Sequence, residues 1–382
     1  MIYFDYAATT PLDADAADIY VQAATEYYGN TGSLHDIGCT AKDILENCRQ
    51  EFASILGVPK DGIFFTSGGS ESNFLGIQAL LSATKKKGKH IISSMAEHSS
   101  IRSTLDLLAS QGYDITLLPF NQKGQIDMDR LKNATREDTV LIAIQHGNSE
   151  IGSLQPIEEI ANWCQEQNLL FHSDCVHTFG KIDLKKLTKW VDSFALSSHK
   201  FYGPKGIGVG YVNPKLAWKP HYPGATHEKG FRPGTVNVPA IAAMTVAAQK
   251  SIAKQEELFT QMKKHRQLLL SILAEAGDRI TLYENSEEHQ LPHTLGLRLN
   301  GLEGQWVMLE CNRLGFAIST GSACSTGLTS ASKTMTAMNI PEKIGKEFIR
   351  ISFGQQTTEQ DVKGLAETLL NIIHESQKGV RL

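Results

Sequence analysis

The feature that most constrains this chain's fold is an alternation of short apolar runs with helical stretches through its first two thirds. Residues 62–66 (Gly-Ile-Phe-Phe-Thr), 90–93, 114–118, 139–144, 169–172 and 193–197 read as strands. Ser70 to Ser82, Ser99 to Gln111 and Ile157 to Gln167 read as helices between them. Apolar strands separated by helices predict an α/β fold with a mostly parallel sheet covered on both faces. Ligands in such sheets lie beyond the carboxyl ends of the strands, so the polar residues that follow each strand are the candidates for chemistry.

After about residue 250 the texture changes. Lys250 to Ala276 predicts one long amphipathic helix, residues 293–299 alternate as a half-buried strand would, and 348–353 form a second strand. A helix from about Glu359 to Ser376 closes the chain. This pattern predicts a second, smaller α+β domain.

The charge balance argues against polyanion binding. With 37 basic and 41 acidic residues the formal net charge is −4, so neither a nucleic acid nor an anionic membrane is an expected partner. No apolar run approaches the ~20 residues that a spanning helix needs. Met1-Ile-Tyr-Phe-Asp5 has neither a basic region nor the apolar core of a signal peptide. Six cysteines in 382 residues are too sparse for a disulfide scaffold, and none forms a Cys-x-x-Cys pair. A cytoplasmic protein with reduced thiols and no bound metal is expected. Cys39, Cys48, Cys164 and Cys311 sit in or beside helical patterns and are expected to pack, as is Cys175.

Lys200 follows the apolar strand 193–197, in Ser197-Ser198-His199-Lys200. It reads as either a surface lysine or an amine that forms a Schiff base with an aldehyde cofactor, a role that requires partial desolvation. Asp174 ends the preceding strand pattern. It could cap a helix, bind a metal or hold a pyridine nitrogen protonated. Thr66-Ser67-Gly68-Gly69-Ser70 is a glycine-rich turn from strand to helix, a phosphate seat in principle, though it matches neither the dinucleotide fingerprint nor the Walker loop. His98 follows another strand, where a flat ring could stack on a cofactor and relay protons. Cys324 lies in Ser319-Thr-Gly-Ser-Ala-Cys-Ser-Thr-Gly327, a small-residue context that predicts an accessible thiol.

Together these residues resemble the NifS/IscS-type cysteine desulfurases of the class V aminotransferase family, fold-type I enzymes dependent on pyridoxal phosphate (PLP). The resemblance runs from Tyr3-Phe-Asp-Tyr-Ala-Ala-Thr-Thr-Pro11 to Arg350-Ile-Ser-Phe-Gly354, with the motifs in the family's order. It implies a seven-stranded large domain over 13–255, and a small domain of 1–12 and 256–382 carrying a catalytic cysteine loop at about 319–332. It also implies roles. Lys200 holds the cofactor covalently, Asp174 pairs with its ring nitrogen, and His98 stacks on the ring and moves protons. Gly69, Ser70, Ser197 and His199 bind the phosphate, with Thr235 reaching the phosphate of a neighbouring subunit in a homodimer. Arg350, helped by Asn30, clamps the substrate carboxylate. Cys324 takes sulfur from L-cysteine as a persulfide, leaving alanine, and passes it to an acceptor protein. That acceptor is expected to be an iron–sulfur scaffold, on which Cys324 could transiently ligate a cluster, a tRNA-thiolation protein or a dedicated client enzyme.

Three departures from the family stand out. His177 occupies the place of a glutamine near the cofactor's phenolic oxygen. Asn148-Ser149-Glu150 replaces Asn-Asn-Glu, leaving open which of Asn148 and Ser149 contacts the cofactor. Leu328 to Lys333 lacks the common Leu-Glu-Pro-Ser. The competing readings are another class V enzyme, such as a selenocysteine lyase or aminotransferase, and a non-catalytic sulfur-transfer scaffold.

Overall fold

The chain begins with a two-residue strand, β1 (Ile2–Tyr3), and two helices, α1 (Ala14–Glu26) and α2 (Asp36–Leu56). There follow β2 (Ile63–Thr66), α3 (Gly69–Ala83), β3 (His90–Ser94), α4 (Ser99–Ser110), β4 (Asp114–Leu118), β5 (Thr139–Ala143), β6 (Leu170–Asp174), β7 (Ser193–Ser197) and β8 (Gly208–Val212). The computed structural model describes residues 1–224, 226–321 and 332–377. Among these, β2 to β8 form one seven-stranded sheet in the order β2-β8-β7-β6-β5-β3-β4. Six strands run in one direction, and β8 alone is antiparallel to its neighbours β2 and β7. Every residue of β5, β7 and β8 is buried, as strands covered on both faces must be. The edge strand β4 is only partly covered and starts with an exposed aspartate.

Strand β8 is the one that the apolar pattern did not announce. Its Gly-Val-Gly-Tyr-Val interleaves glycines with apolar residues, and pairing with β2 and β7 holds it extended. The helix expected over 250–276 is two helices, Val238–Ala253 and Gln255–Leu273, meeting at Lys254 (φ −99°, ψ 3°). Before the break Ile241, Met244 and Ala248 pack into the core of the large sheet. After it Met262, Leu269 and Leu273 pack into a second core. The chain bends where it passes from one core to the other.

That second core lies on an antiparallel sheet of β9 (Ile280–Tyr283), β10 (Thr294–Leu299) and, beyond a short strand β11 (Phe316–Ala317), β12 (Phe348–Ser352), in the order β12-β10-β9. β1 pairs in parallel with β11, and Phe4 is buried in the second core. The chain then crosses back, and Thr10 donates its N–H and hydroxyl to the His199 carbonyl (2.9 and 3.0 Å). The first ten residues thus touch both cores. Cys48, Cys164, Cys175 and Cys311 are buried free thiols, but Cys39, expected to pack, is exposed on α2. No helix among the described residues is long and apolar enough to cross a membrane.

Candidate active site

β3, β6 and β7 are parallel neighbours through β5, so their carboxyl ends open on one side of the sheet. Asp174 is the last residue of β6, Lys200 ends the single 3-10 turn after β7, and His98 caps α4 just beyond β3. The three share one electrostatic neighbourhood. Partial desolvation and the Lys200 charge lower the His98 pKa, and the Asp174 carboxylate opposes them. His98 Nδ1 accepts the Ser100 N–H (3.2 Å) as an N-cap, and also meets Ser100 Oγ at 2.8 Å. An Nδ1 that accepts leaves the proton of the neutral ring on Nε2.

The Asp174 side chain is almost fully buried. Its Oδ1 accepts the Val176 N–H (2.9 Å) and its Oδ2 accepts from Asn73 Nδ2 (2.8 Å). Each oxygen keeps an open lone pair. The Lys200 amine donates to the carbonyls of Ala7 (2.6 Å) and Ala8 (2.8 Å), so the N-terminal segment is part of the site.

The turn from β2 into α3 forms a cradle. Gly68, at φ 146°, stands at the N-cap position of α3, and no side chain caps that helix among the described residues. A Cβ on Gly69 would lie 2.8 Å from Val176 Cγ2 and 3.3 Å from Ser197 Cβ. The close approach of β6, β7 and the helix start therefore requires glycine there. Uncapped N–H groups in such a setting favour an anion. Ser70 lies exposed at the mouth of this cradle.

His199 Nδ1 meets Thr9 Oγ1 at 3.1 Å, and its pKa is pushed down to about 4, first by burial and then by Lys200 and Lys205. Burial, followed by Lys200, Lys181 and Arg350, pushes His177 well below its ordinary value. Both rings are neutral at pH 7. Lys181 is pushed down to about 7 by burial and by Lys200 and Arg350, and its Nζ has no hydrogen-bond partner among the described residues.

Arg350, on β12, reaches in from the second sheet. Its Nη2 donates to Asp5 Oδ1 (2.7 Å) and its Nη1 to the Ser149 carbonyl (3.2 Å), while its buried Nε has no partner among the described residues.

Asn148 is buried. Its Oδ1 accepts the N–H groups of Glu150 and Ile151 (both 2.9 Å) and its Nδ2 donates to Thr334 Oγ1 (3.0 Å), because the buried turn that follows has these groups to satisfy. Asn30 is exposed, and its Oδ1 accepts the Gly32 N–H (2.9 Å) in a local turn. Thr235 is exposed, lining a surface cleft of about 240 Å³ with Ser67, Gly206 and Arg232. Cys324 lies outside the described residues, but both ends of its segment are in view. Glu150 bonds to Ser332 Oγ and accepts the Thr334 N–H (3.2 Å), and a Cβ on Gly321 would lie 2.4 Å from Ser332 Cβ. Sequence reasoning gave no role to Asn73, Asp5, Lys181 or Glu150. Asp5 and Glu150 lay inside recognised motifs, but their partners are 345 and 182 residues away.

The sequence profile described as Aminotransferase class-V matches residues 2–365. The chain belongs to the class V aminotransferase family. Within it, the chain is 44% identical to a Bacillus subtilis protein carrying the name NifS, over 99% of this chain and 96% of that one. It is 35% identical to the cysteine desulfurase IscS of Dictyoglomus turgidum, over 97% and 94%. Among solved structures, a NifS-like protein superposes with a TM-score of 0.89 at 30% identity, covering 98% of this class V chain and 99% of the other. SspA in complex with cysteine gives 0.78 at 30%, covering 92% and 99%.

Proposed function

We propose that this class V chain is a PLP-dependent cysteine desulfurase that takes sulfur from L-cysteine onto Cys324. The observation that carries the reading is the convergence of a buried carboxylate, an amine and a capping imidazole at the ends of three strands of one sheet, beside an uncapped glycine-lined helix start.

These residues fit PLP. Gly69, Ser70, Ser197 and His199 would hold the phosphate, in a cradle that a side chain on Gly69 would fill. Asp174 has open lone pairs for a protonated ring nitrogen. Lys200 would hold the group covalently, and the neutral His177 would donate one N–H to its phenolic oxygen. Bound there, the cofactor supplies an aldehyde for the substrate amine and an electron sink for the pair left at the α-carbon.

The chain's own groups do the rest. Arg350, with its open Nε, would hold the substrate carboxylate. The Lys200 amine, once displaced, would take the α-proton and return to the carbonyls of Ala7 and Ala8. His98 would deliver protons from Nε2. The Cys324 thiolate would attack the substrate sulfur, so an S–S bond forms and the C–S bond breaks. The C–S electron pair stays with the carbon skeleton, which leaves as alanine after protonation. The persulfide then passes its outer sulfur to an acceptor thiol.

The test is to incubate the purified protein with PLP, L-cysteine and a thiol reductant and to measure sulfide and alanine. Equal amounts of the two are expected, with Cys324→Ala retaining the cofactor's absorption and losing sulfide release. Cofactor-loaded wild type that forms no alanine, or full sulfide release by Cys324→Ala, would overturn the reading.

A further inference from the structure

We infer that Asn73 is a positioning residue that joins the Asp174 carboxylate to the His98 imidazole through Ser100, fixing which atom each presents to the cleft. The buried amide makes three contacts in one chain of bonds. Its Nδ2 donates one hydrogen to Asp174 Oδ2 (2.8 Å) and the other to Ser100 Oγ (3.0 Å). Its Oδ1 accepts from His172 Nε2 (3.0 Å).

Proton bookkeeping leaves one arrangement. A carboxylate only accepts, so the Asn73 NH₂ must face Asp174 and its oxygen must face His172. His172 therefore carries its proton on Nε2, and its Nδ1 accepts from Ser193 Oγ (3.1 Å). Burial keeps that ring neutral. Ser100 Oγ accepts from Asn73, and because His98 Nδ1 already accepts the Ser100 N–H (3.2 Å), the Ser100 hydroxyl at 2.8 Å donates to it. Every donor in the chain has one acceptor, and the His98 proton is placed on Nε2.

The placement depends on helix packing. Asn73 is one turn into α3, and Gly76 lies three residues further along the buried face. A Cβ on Gly76 would lie 2.6 Å from Ser193 Oγ and 3.2 Å from His172 Cε1. Glycine lets α3 come down onto β6 and β7, and that descent brings a four-atom side chain within reach of Asp174.

The consequence for turnover rests on the desulfurase reading; the hydrogen-bond chain does not. Two variants of the cofactor-loaded protein test it. Asn73→Leu removes all the contacts, leaving the buried His172 N–H without its acceptor and Asp174 without its lateral donor. PLP affinity is expected to fall about 10- to 100-fold, as when an outer partner of a ligand group is removed. kcat is expected to fall with little change in KM.

Asn73→Asp keeps the shape. It sets a second carboxyl beside Asp174, with His172, Glu97, His98 and Lys200 as the other titratable groups around the pair. Two adjacent carboxyls share one proton. While that proton is held, the variant imitates the amide towards Asp174 and His172; once it is lost, like charges face each other. Asn73→Asp should therefore bind PLP nearly as wild type does on the acid side and lose affinity 10- to 100-fold as pH rises. Wild type should lack this phase. Histidine-selective ¹⁵N spectra of the purified protein should show neutral His98 and His172 with the proton on Nε2.

Wild-type PLP affinity in Asn73→Leu, an Asn73→Asp profile that follows wild type, or a Nδ1–H form of either histidine would each overturn the inference. Should wild type release no sulfide, the desulfurase reading fails, while the affinity and tautomer measurements still decide the role of Asn73.

Discussion

Arg350 Nη2 lies 2.7 Å from Asp5 Oδ1, so the guanidinium proposed to clamp the substrate carboxylate is itself held by a carboxylate of the N-terminal segment. The pair is largely buried, with the side chains 8% and 20% exposed. Asp5 also forms a bridge with Ser352, two residues beyond Arg350 on β12. One edge of the guanidinium is thereby fixed and Nε is left open.

Asp5→Asn keeps the shape but removes the charge that orients Arg350. The expected outcome is a KM for L-cysteine raised about tenfold, equivalent to ~1.4 kcal/mol, with a smaller change in kcat. Steady-state kinetics check it. An unchanged KM would show that Arg350 is oriented without Asp5.

Gly69→Ala should act on the cofactor rather than on the fold. The added methyl meets Val176 and Ser197 at the anion seat. PLP affinity should fall by at least about tenfold, a loss of ~1.4 kcal/mol, while the far-UV circular dichroism stays unchanged. Titration of the cofactor-free variant with PLP measures it.

Arg49 and Glu228 form a buried bidentate pair, with contacts of 2.8 Å and side chains 4% and 3% exposed. Glu228 Oε2 also accepts the Phe65 N–H (2.7 Å) at β2, and Glu228 holds a positive φ of 45°. Removing Arg49 leaves the Glu228 charge buried and alone, and removing Glu228 leaves Arg49 only the more exposed Glu46 (3.2 Å). Glu228→Gln should therefore destabilise by about 3–5 kcal/mol, whereas Arg49→Met with Glu228→Leu should lose less than either single change. Urea denaturation midpoints of the three variants test this.

Stability should respond to pH in two opposed ways. His146 and His172 are pushed down by burial to about 3, from an ordinary 6.5. Between those values the unfolded chain binds protons that the folded chain refuses. Stability therefore falls as pH drops from about 6.5 towards 3, by ~1.4 kcal/mol per unit for each histidine. Burial pushes Glu97 up to about 8 from 4.5. Between those values the folded chain keeps a proton that the unfolded chain releases, so its contribution falls as pH rises. Glu97→Gln should remove the fall in stability above pH 6.5 and steepen its rise between pH 4.5 and 6.5, as read from urea midpoints between pH 4 and 9.

The parallel sheet was legible in the chain because buried strands must be apolar along their whole length, and six of the seven announced themselves in this way. Lys200, Asp174 and His98 were legible for a related reason, since chain order alone places them just past strands. β8 was not legible, because its two glycines interrupt the apolar run that marked the other strands. The break at Lys254 was not legible either, because an amphipathic pattern does not say which of two cores its apolar face will meet.

What the sequence determined by itself was the set of reactive groups and their positions at strand ends, since strand direction and the right-handed crossover leave little choice of side. Tertiary structure decided the partners: Asn73 on Asp174, Asp5 on Arg350, the carbonyls of Ala7 and Ala8 on Lys200, and Asn148 turned into its own loop. The first three of these pairings join residues 101 to 345 positions apart. A hydrogen bond is settled by tenths of an ångström and by which donors remain unsatisfied, and those quantities exist only once helices and strands have packed.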